Sequence, residues 1–175
     1  MEISSHIYYR HPNSDIHALF DQLFSNVNGN EADFLALSTS ISPQTGADIA
    51  QTLIESVDSV IHDLGAETIE HQAGYSIAHF CHGSDGNDLV EIIVQFIQDL
   101  SPDIHVQAWA SGDDDPWEFW LKFENGKLIR QDDEPLDDPD EDEIIYETIY
   151  TWWHKDMPSE IKEGFLNDEH EEEDF

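Results

Sequence analysis

Polar and apolar positions alternate from Glu2 to Tyr9, the two-residue period of a strand. Pro12-Asn13-Ser14 then reads as a turn into a helix capped by Ser14. Ile16, Leu19, Phe20, Leu23, Phe24 and Val27 recur at i, i+3, i+4 spacing on one face of it until Asn28-Gly29. Phe34 to Ser40 reads as a short strand. Ser42-Pro43 opens a second helix with Pro at its first position, carried by Ile49, Leu53, Val57, Ile61 and Leu64 and stopped by Gly65.

A strand over about 67–81, a turn at Gly83-Ser84-Asp85-Gly86 and a helix over about 87–99 follow, the helix built on Leu89, Ile92, Ile93, Phe96 and Ile97. Pro102 ends it. A strand over 103–110 sets Ile104, Val106 and Ala108 on one face and His105, Gln107 and Trp109 on the other. After the turn Gly112-Asp113-Asp114-Asp115-Pro116, a strand over 117–123 directs Trp117, Phe119, Leu121 and Phe123 to the core, and Asn125-Gly126 signals a tight hairpin. A last helix, about 141–155, offers Ile145, Ile149 and Trp152 as a docking stripe, and Met157-Pro158 breaks it before a shorter helix. On this helix Trp153 lies beside Trp152; packed over the sheet face that carries Trp109 and Trp120, the helix would bury them.

The expected order is βαβαβαβββ followed by helix: an α+β fold with a mostly antiparallel sheet and helices packed on it. Its parts are an α+β core over 1–131, an acidic loop over 132–143, C-terminal helices over 144–167 docked on the core, and an acidic tail over 168–175. In the loop nine of twelve residues are acidic and two of the others are Pro, a composition that cannot bury itself.

Charge changes the picture more than any motif. Forty acids face six Lys and Arg in 175 residues, a formal net charge of −34. Residues 1–111 carry 16 acids and one base, and residues 112–175 carry 24 acids and five bases. Such a chain repels itself when compact and repels nucleic acid, anionic lipid and anionic substrates, so its natural partner is strongly positive. At one charge per about 1.7 Å of duplex axis, the same total belongs to roughly 17 base pairs of DNA. A compact chain of this length has a radius of gyration of about 16 Å. Salt adaptation is the rival account of such acidity, but here the acids cluster, and Ile and large aromatics are abundant.

The candidate partner-binding surface is Asp113, Asp114, Asp115, Asp132, Asp133, Glu134, Asp137, Asp138, Asp140, Glu141, Asp142, Glu143 and Glu147. Carboxylates three or four apart on a helix lie about 5–6 Å from one another and can stand in for a phosphate backbone.

Other chemistry is thinly represented. His79-Phe80-Cys81-His82, with His71 and His105, invites a metal reading. On a strand, however, His79 and Cys81 share a face while His82 points away, and no second Cys follows. Asp138, Asp140 and Asp142 match the first three EF-hand spacings, but Glu143 stands where Gly is needed and Ile149 where the bidentate Glu belongs. GxSxG, P-loop, Rossmann and HExxH signatures are missing. The expectation is a protein without cofactor or metal that is not an enzyme. The one cysteine, the lack of an opening signal pattern and the lack of a membrane-length apolar run set it in the cytoplasm.

The stretch from Thr68 to Asp133, with Leu100-Ser101-Pro102, Trp109, Trp117-Glu118-Phe119-Trp120 and Asn125-Gly126, resembles a ferredoxin-like domain of plasmid and phage proteins of unknown function. No functional residue carries over from it. In composition the whole chain resembles the acidic DNA-mimic inhibitors of phages and mobile elements. That resemblance implies an anti-restriction or anti-CRISPR inhibitor. Its partner would be a basic nucleic-acid-binding protein: a nuclease, a restriction or CRISPR component, or a nucleoid protein. The alternatives are an immunity protein or antitoxin neutralising a cationic nuclease toxin and, in another class, a metal-dependent enzyme around His79, Cys81 and His105. A homodimer stays open.

Overall fold

The computed structural model describes residues 3–26, 30–57, 64–83, 86–112, 118–133 and 138–161. Along them run β1 (Ile3–Arg10), α1 (Ser14–Asn26), α2 (Glu31–Ile41), α3 (Gly46–Ser56), β2 (Thr68–Gln72), β3 (Tyr75–His82), α4 (Gly86–Leu100), β4 (His105–Gly112), β5 (Glu118–Glu124), β6 (Lys127–Asp133) and α5 (Pro139–His154). The six strands form one sheet in the order β2-β3-β1-β4-β5-β6, every pairing antiparallel. The fold is α+β.

Strand alternation splits the sheet into two faces. Ile3, Ile7 and Tyr9 of β1, Ala78 and Phe80 of β3, Val106 and Ala108 of β4, and Phe119 and Leu121 of β5 pack under the helical layer α1–α4. There Phe24 meets Tyr9 and Phe80 at ring-centroid distances of 5.6 and 5.7 Å, and Phe34 of α2 lies 5.5 Å from Phe96 of α4. The opposite face carries Tyr8, Tyr75, Ile77, Trp109 and Trp120, and α5 lies across part of it. Trp120 is wholly buried, with Trp153 of α5 at 5.1 Å and Trp109 at 5.7 Å.

Several expectations need correction. Phe34 to Ser40 is helical. The buried residues of α2 are Phe34, Ser38 and Ile41, a helical spacing that the polar Ser38 conceals. α3 crosses α2 closely there: a Cβ on Gly46 would run into the Ser38 carbonyl oxygen, so only glycine fits at that position. The second helix starts at Gly46 and not at Pro43; Gly46 N–H donates to Ser42 O at 2.7 Å across the intervening turn. The strand placed over 67–81 is a hairpin, turned by Ala73 and Gly74 at φ 52° and 83°. Asn13, not Ser14, caps α1; its Oδ1 accepts from Asp15 N–H at 2.9 Å and Ile16 N–H at 3.3 Å. Among the described residues the order is therefore βαααββαβββα.

The acidic segment is not a loop throughout. Asp132 and Asp133 finish β6, Asp138 caps α5 by accepting from Asp140 N–H at 3.0 Å, Pro139 takes the first turn, and 140–143 are helical. Helical residues resume at 159–161, and the acidic tail lies outside the described residues.

The docking stripe of α5 is also rotated from its expected position. Tyr146, Ile149, Tyr150 and Trp153 face the sheet, while Ile145 is exposed and Trp152 only half-buried. What fixes this seat is polar. Trp153 Nε1 donates to Leu121 O at 2.9 Å, Gln107 Nε2 donates to Trp153 O, and Lys122 Nζ donates to Trp152 O at 2.7 Å. Two carbonyls near the C-terminus of the helix thus receive donors from β4 and β5, and Lys122 sets a positive charge at the negative end of the helix dipole.

Candidate partner-binding surface

Docked at its C-terminal end, α5 presents its acidic first turns to solvent. Asp140, Glu141 and Glu143 lie in these turns, Glu147 lies one turn further, and all four are exposed. At 100° per residue, Asp140, Ile144 and Glu147 share the face away from the buried Ile149 and Trp153, and Glu143 lies on the flank of the helix beside Tyr150. Ile144 is 64% exposed and Ile145 38%, the exposed large hydrophobic residues among those described. An apolar pair of this kind inside a carboxylate field has the form of an anchor with a charged rim. The sequence concealed it by offering Ile145 as a core residue.

Six carboxylates occupy the ten positions from Asp138 to Glu147. At 1.5 Å per residue they span about 13.5 Å, one charge per about 2.3 Å. Duplex DNA has one per about 1.7 Å. The helix tolerates this crowding because the excess lies at its positive N-terminal end.

The candidate acids divide by role. Asp140, Glu141, Glu143 and Glu147 form the exposed set. Asp138 is engaged as the cap, and Asp132 accepts from Arg130 Nε at 2.6 Å, while the same guanidinium donates to Glu91 at 2.8 Å and lies over the Phe119 ring. Asp133 and Asp142 approach each other between β6 and α5. Each has its Oδ1 shut away from solvent without a hydrogen-bond partner among the described residues. Burial, and then the Asp142 charge, push the Asp133 carboxyl above the usual range. Asp113, Asp114, Asp115, Glu134 and Asp137 lie outside the described residues.

Beside the seat of α5 the same sheet face carries a cluster of histidine and tryptophan. His6 pairs across strands with His79 and Trp109, at ring-centroid distances of 3.8 and 4.7 Å, and Trp109 Nε1 donates to Glu118 at 2.9 Å. Burial and the neighbouring His79 lower the His6 pKa to about 3, so the ring is neutral at ordinary pH. His79 and Cys81 share this face, whereas His82 is turned into the core beside Phe80 and His71 into the α1 side of the sheet. Among the described residues no group of three His, Cys, Asp or Glu is placed to hold a metal ion.

One further cluster has the composition of a catalytic triad but not its wiring. His11 N–H donates to His17 Nδ1 at 3.1 Å, so the His17 proton sits on Nε2 and is given to Ser76 Oγ at 2.7 Å. Ser76 in turn donates to Asp21 at 2.6 Å, and Tyr9 OH donates to the same oxygen at 2.7 Å. His17 is thus a donor to Ser76 and cannot take its proton, and Ser76 is fully buried. The cluster ties α1 to β1 and β3.

Comparison with family models, curated proteins and solved structures yields no match. No helix among the described residues is long and apolar enough to cross a membrane.

Proposed function

We propose that the protein is a stoichiometric inhibitor that binds the nucleic-acid site of a basic protein and acts by DNA mimicry, with its carboxylates standing where a duplex presents phosphates. The observation that carries this reading is the outward side of α5: Asp140, Glu141, Glu143 and Glu147 stand exposed within about 10.5 Å of helix axis, one charge per about 2.6 Å, on a helix whose other end is fixed to the sheet. Two of the cations, Lys122 and Arg130, are already engaged with Asp156, Glu91 and Asp132, which leaves the surface field strongly negative. Binding of this kind is fast, electrostatically steered and weakened by salt. It fits an anti-defence role against a restriction or CRISPR component in the cytoplasm and needs no cofactor, metal or catalytic step.

The exposed Ile144 and Ile145 favour one second reading, an immunity protein shaped to a single cationic nuclease toxin. A generic polyanion has no use for an apolar anchor.

Affinity capture from host lysate, eluted in parallel by rising salt and by excess duplex DNA, tests both readings. Under mimicry one nucleic-acid-binding protein is released by DNA, and it is not captured by the triple variant Asp140→Asn, Glu143→Gln, Glu147→Gln. A specific partner that resists DNA and needs Ile144 supports the immunity reading. Capture of many basic proteins, equally by wild type and variant, refutes both.

A further inference from the structure

On the other side of the sheet, in the outer helical layer, α3 and α4 diverge and leave a groove of about 530 Å³ between them. Ile49, Leu53 and Val57 wall it from α3, and Ile92 and Phe96 from α4. The groove is apolar along its length and acidic at its rim, where Asp48 and Asp99 stand exposed.

The two rim acids are not equivalent. Asp48 lies in the first turn of α3, where the helix dipole favours a negative charge. Asp99 lies in the last turn of α4, which contains no basic residue, so its carboxylate adds to the negative end of the dipole. Gln95 Nε2 donates to Asp99 Oδ1 at 2.9 Å and orients it on the rim. Only one cation, Arg10, occurs in residues 1–111. It ends β1, packed against the Gly74 turn, on the strand face that carries Tyr8 and His6 rather than on the face under the helical layer. Of the later cations, Arg130 reaches α4 only at Glu91, and neither Asp48 nor Asp99 has an ion-pair partner among the described residues, so the rim is open to a cation from a partner.

We infer that the groove between α3 and α4 is a docking site for a basic amphipathic helix of a partner protein. The partner's apolar residues at i, i+3, i+4 and i+7 would enter between Ile49, Val57, Ile92 and Phe96, and its flanking Lys or Arg would reach Asp48 and Asp99. The length of α3, 11 residues or about 16 Å, matches about three turns of such a helix. This site is separate from the outer face of α5. With both occupied, the chain bridges a basic protein on one side of the sheet and a cationic helix on the other.

The test uses a fluorescein-labelled helical peptide with Leu at i, i+3, i+4 and i+7 and Lys on the flanks, titrated by anisotropy with the full chain at physiological salt. A peptide of identical composition in scrambled order reports non-specific attraction to a polyanion. The patterned peptide is expected to bind at least about tenfold more tightly than the scrambled one. Ile92→Lys is expected to abolish that difference, Asp48→Asn with Asp99→Asn to weaken it, and the triple variant on α5 to leave it unchanged. Hydrogen exchange on the unmutated protein guards against a variant that merely unfolds; added peptide should protect α3 and α4 and leave α5 as it was. Equal binding of both peptides, or protection confined to α5, overturns the inference. So does a peptide-free dimer that Ile92→Lys converts to monomer, because the groove would then belong to a second copy of this chain.

Discussion

Lowering the pH from 7.5 to 5 should destabilise the fold through His6, by an amount that follows from its surroundings. In the unfolded chain a histidine takes up its proton near pH 6.5. In the folded chain His6 does so only at about 3, because burial and then His79 penalise the charged ring. The unfolded state therefore binds the extra proton throughout the window between those values. The stability contributed by the neutral ring is complete above pH 6.5 and is lost as the pH falls. Integrated from pH 7.5 to 5, the loss is about 2 kcal/mol, and it is nearly the same for any folded value below about 4. That is a large share of a total stability of about 5–15 kcal/mol.

Acidification also titrates other groups, so the measurement is a difference. Urea unfolding followed by tryptophan fluorescence should be run at pH 7.5, 6.5, 5.5 and 5.0 on the wild type and on His6→Phe, which keeps a ring between His79 and Trp109 but cannot charge. The carboxylates and His17 are common to both proteins and largely cancel. The wild type should lose about 2 kcal/mol more than the variant over the series, a midpoint shift of about 1 M urea. Parallel profiles would refute the reasoning and mean that His6 is hydrated when folded.

Three further outcomes are expected. Gly46→Ala should cost about 3 kcal/mol or more in urea unfolding, since its methyl group would displace α3 from the Ser38 carbonyl of α2. Lys122→Ala should cost about 3 kcal/mol and loosen α5, seen as faster hydrogen exchange there; it leaves Trp152 O and Asp156 without the buried ammonium that holds them at 2.7 and 3.1 Å. Ile144→Asp should change stability by less than about 0.5 kcal/mol, because the side chain is exposed, yet abolish partner binding if Ile144 is the anchor.

The sequence was most readable where one physical signal dominated. In β4 the alternation of Ile104, Val106 and Ala108 with His105, Gln107 and Trp109 separated the two faces as the fold does, because one side is core and the other meets α5. It failed where tertiary contacts override pattern. Gly46 lacks a side chain where α3 meets the α2 backbone and Ser38 is buried, and neither looks like a core position from within its own segment. Ala73 adopts a positive φ that only its neighbour Gly74 hinted at. On α5 the aromatic pair Trp152-Trp153 left the docked face ambiguous by one position. The carbonyls bound by Gln107 and Lys122 resolve it, and no local pattern announces bonds between residues 30 and 46 positions apart. The acids of the candidate surface were visible as composition. Their division into cap, ion-pair and exposed members depends on whether each ends β6, caps α5 or lies on an outward turn of α5.

The place of β1 has a consequence for how the chain is made. β1, made before either strand it pairs with, lies inside the sheet, with Ile7 opposite Ala78 on one side and Ala108 on the other, 71 and 101 positions downstream. At about 5–20 residues per second, β1 waits roughly 5–20 s for its second neighbour, and such distant pairings close slowly. During that wait an apolar strand with two open edges is an invitation to aggregate. The nascent chain meanwhile carries 16 acids against one base over residues 1–111, and this charge keeps copies apart while β1 is bare. The same charge that would draw a basic partner to the finished fold also opposes contact between copies of the unfinished one.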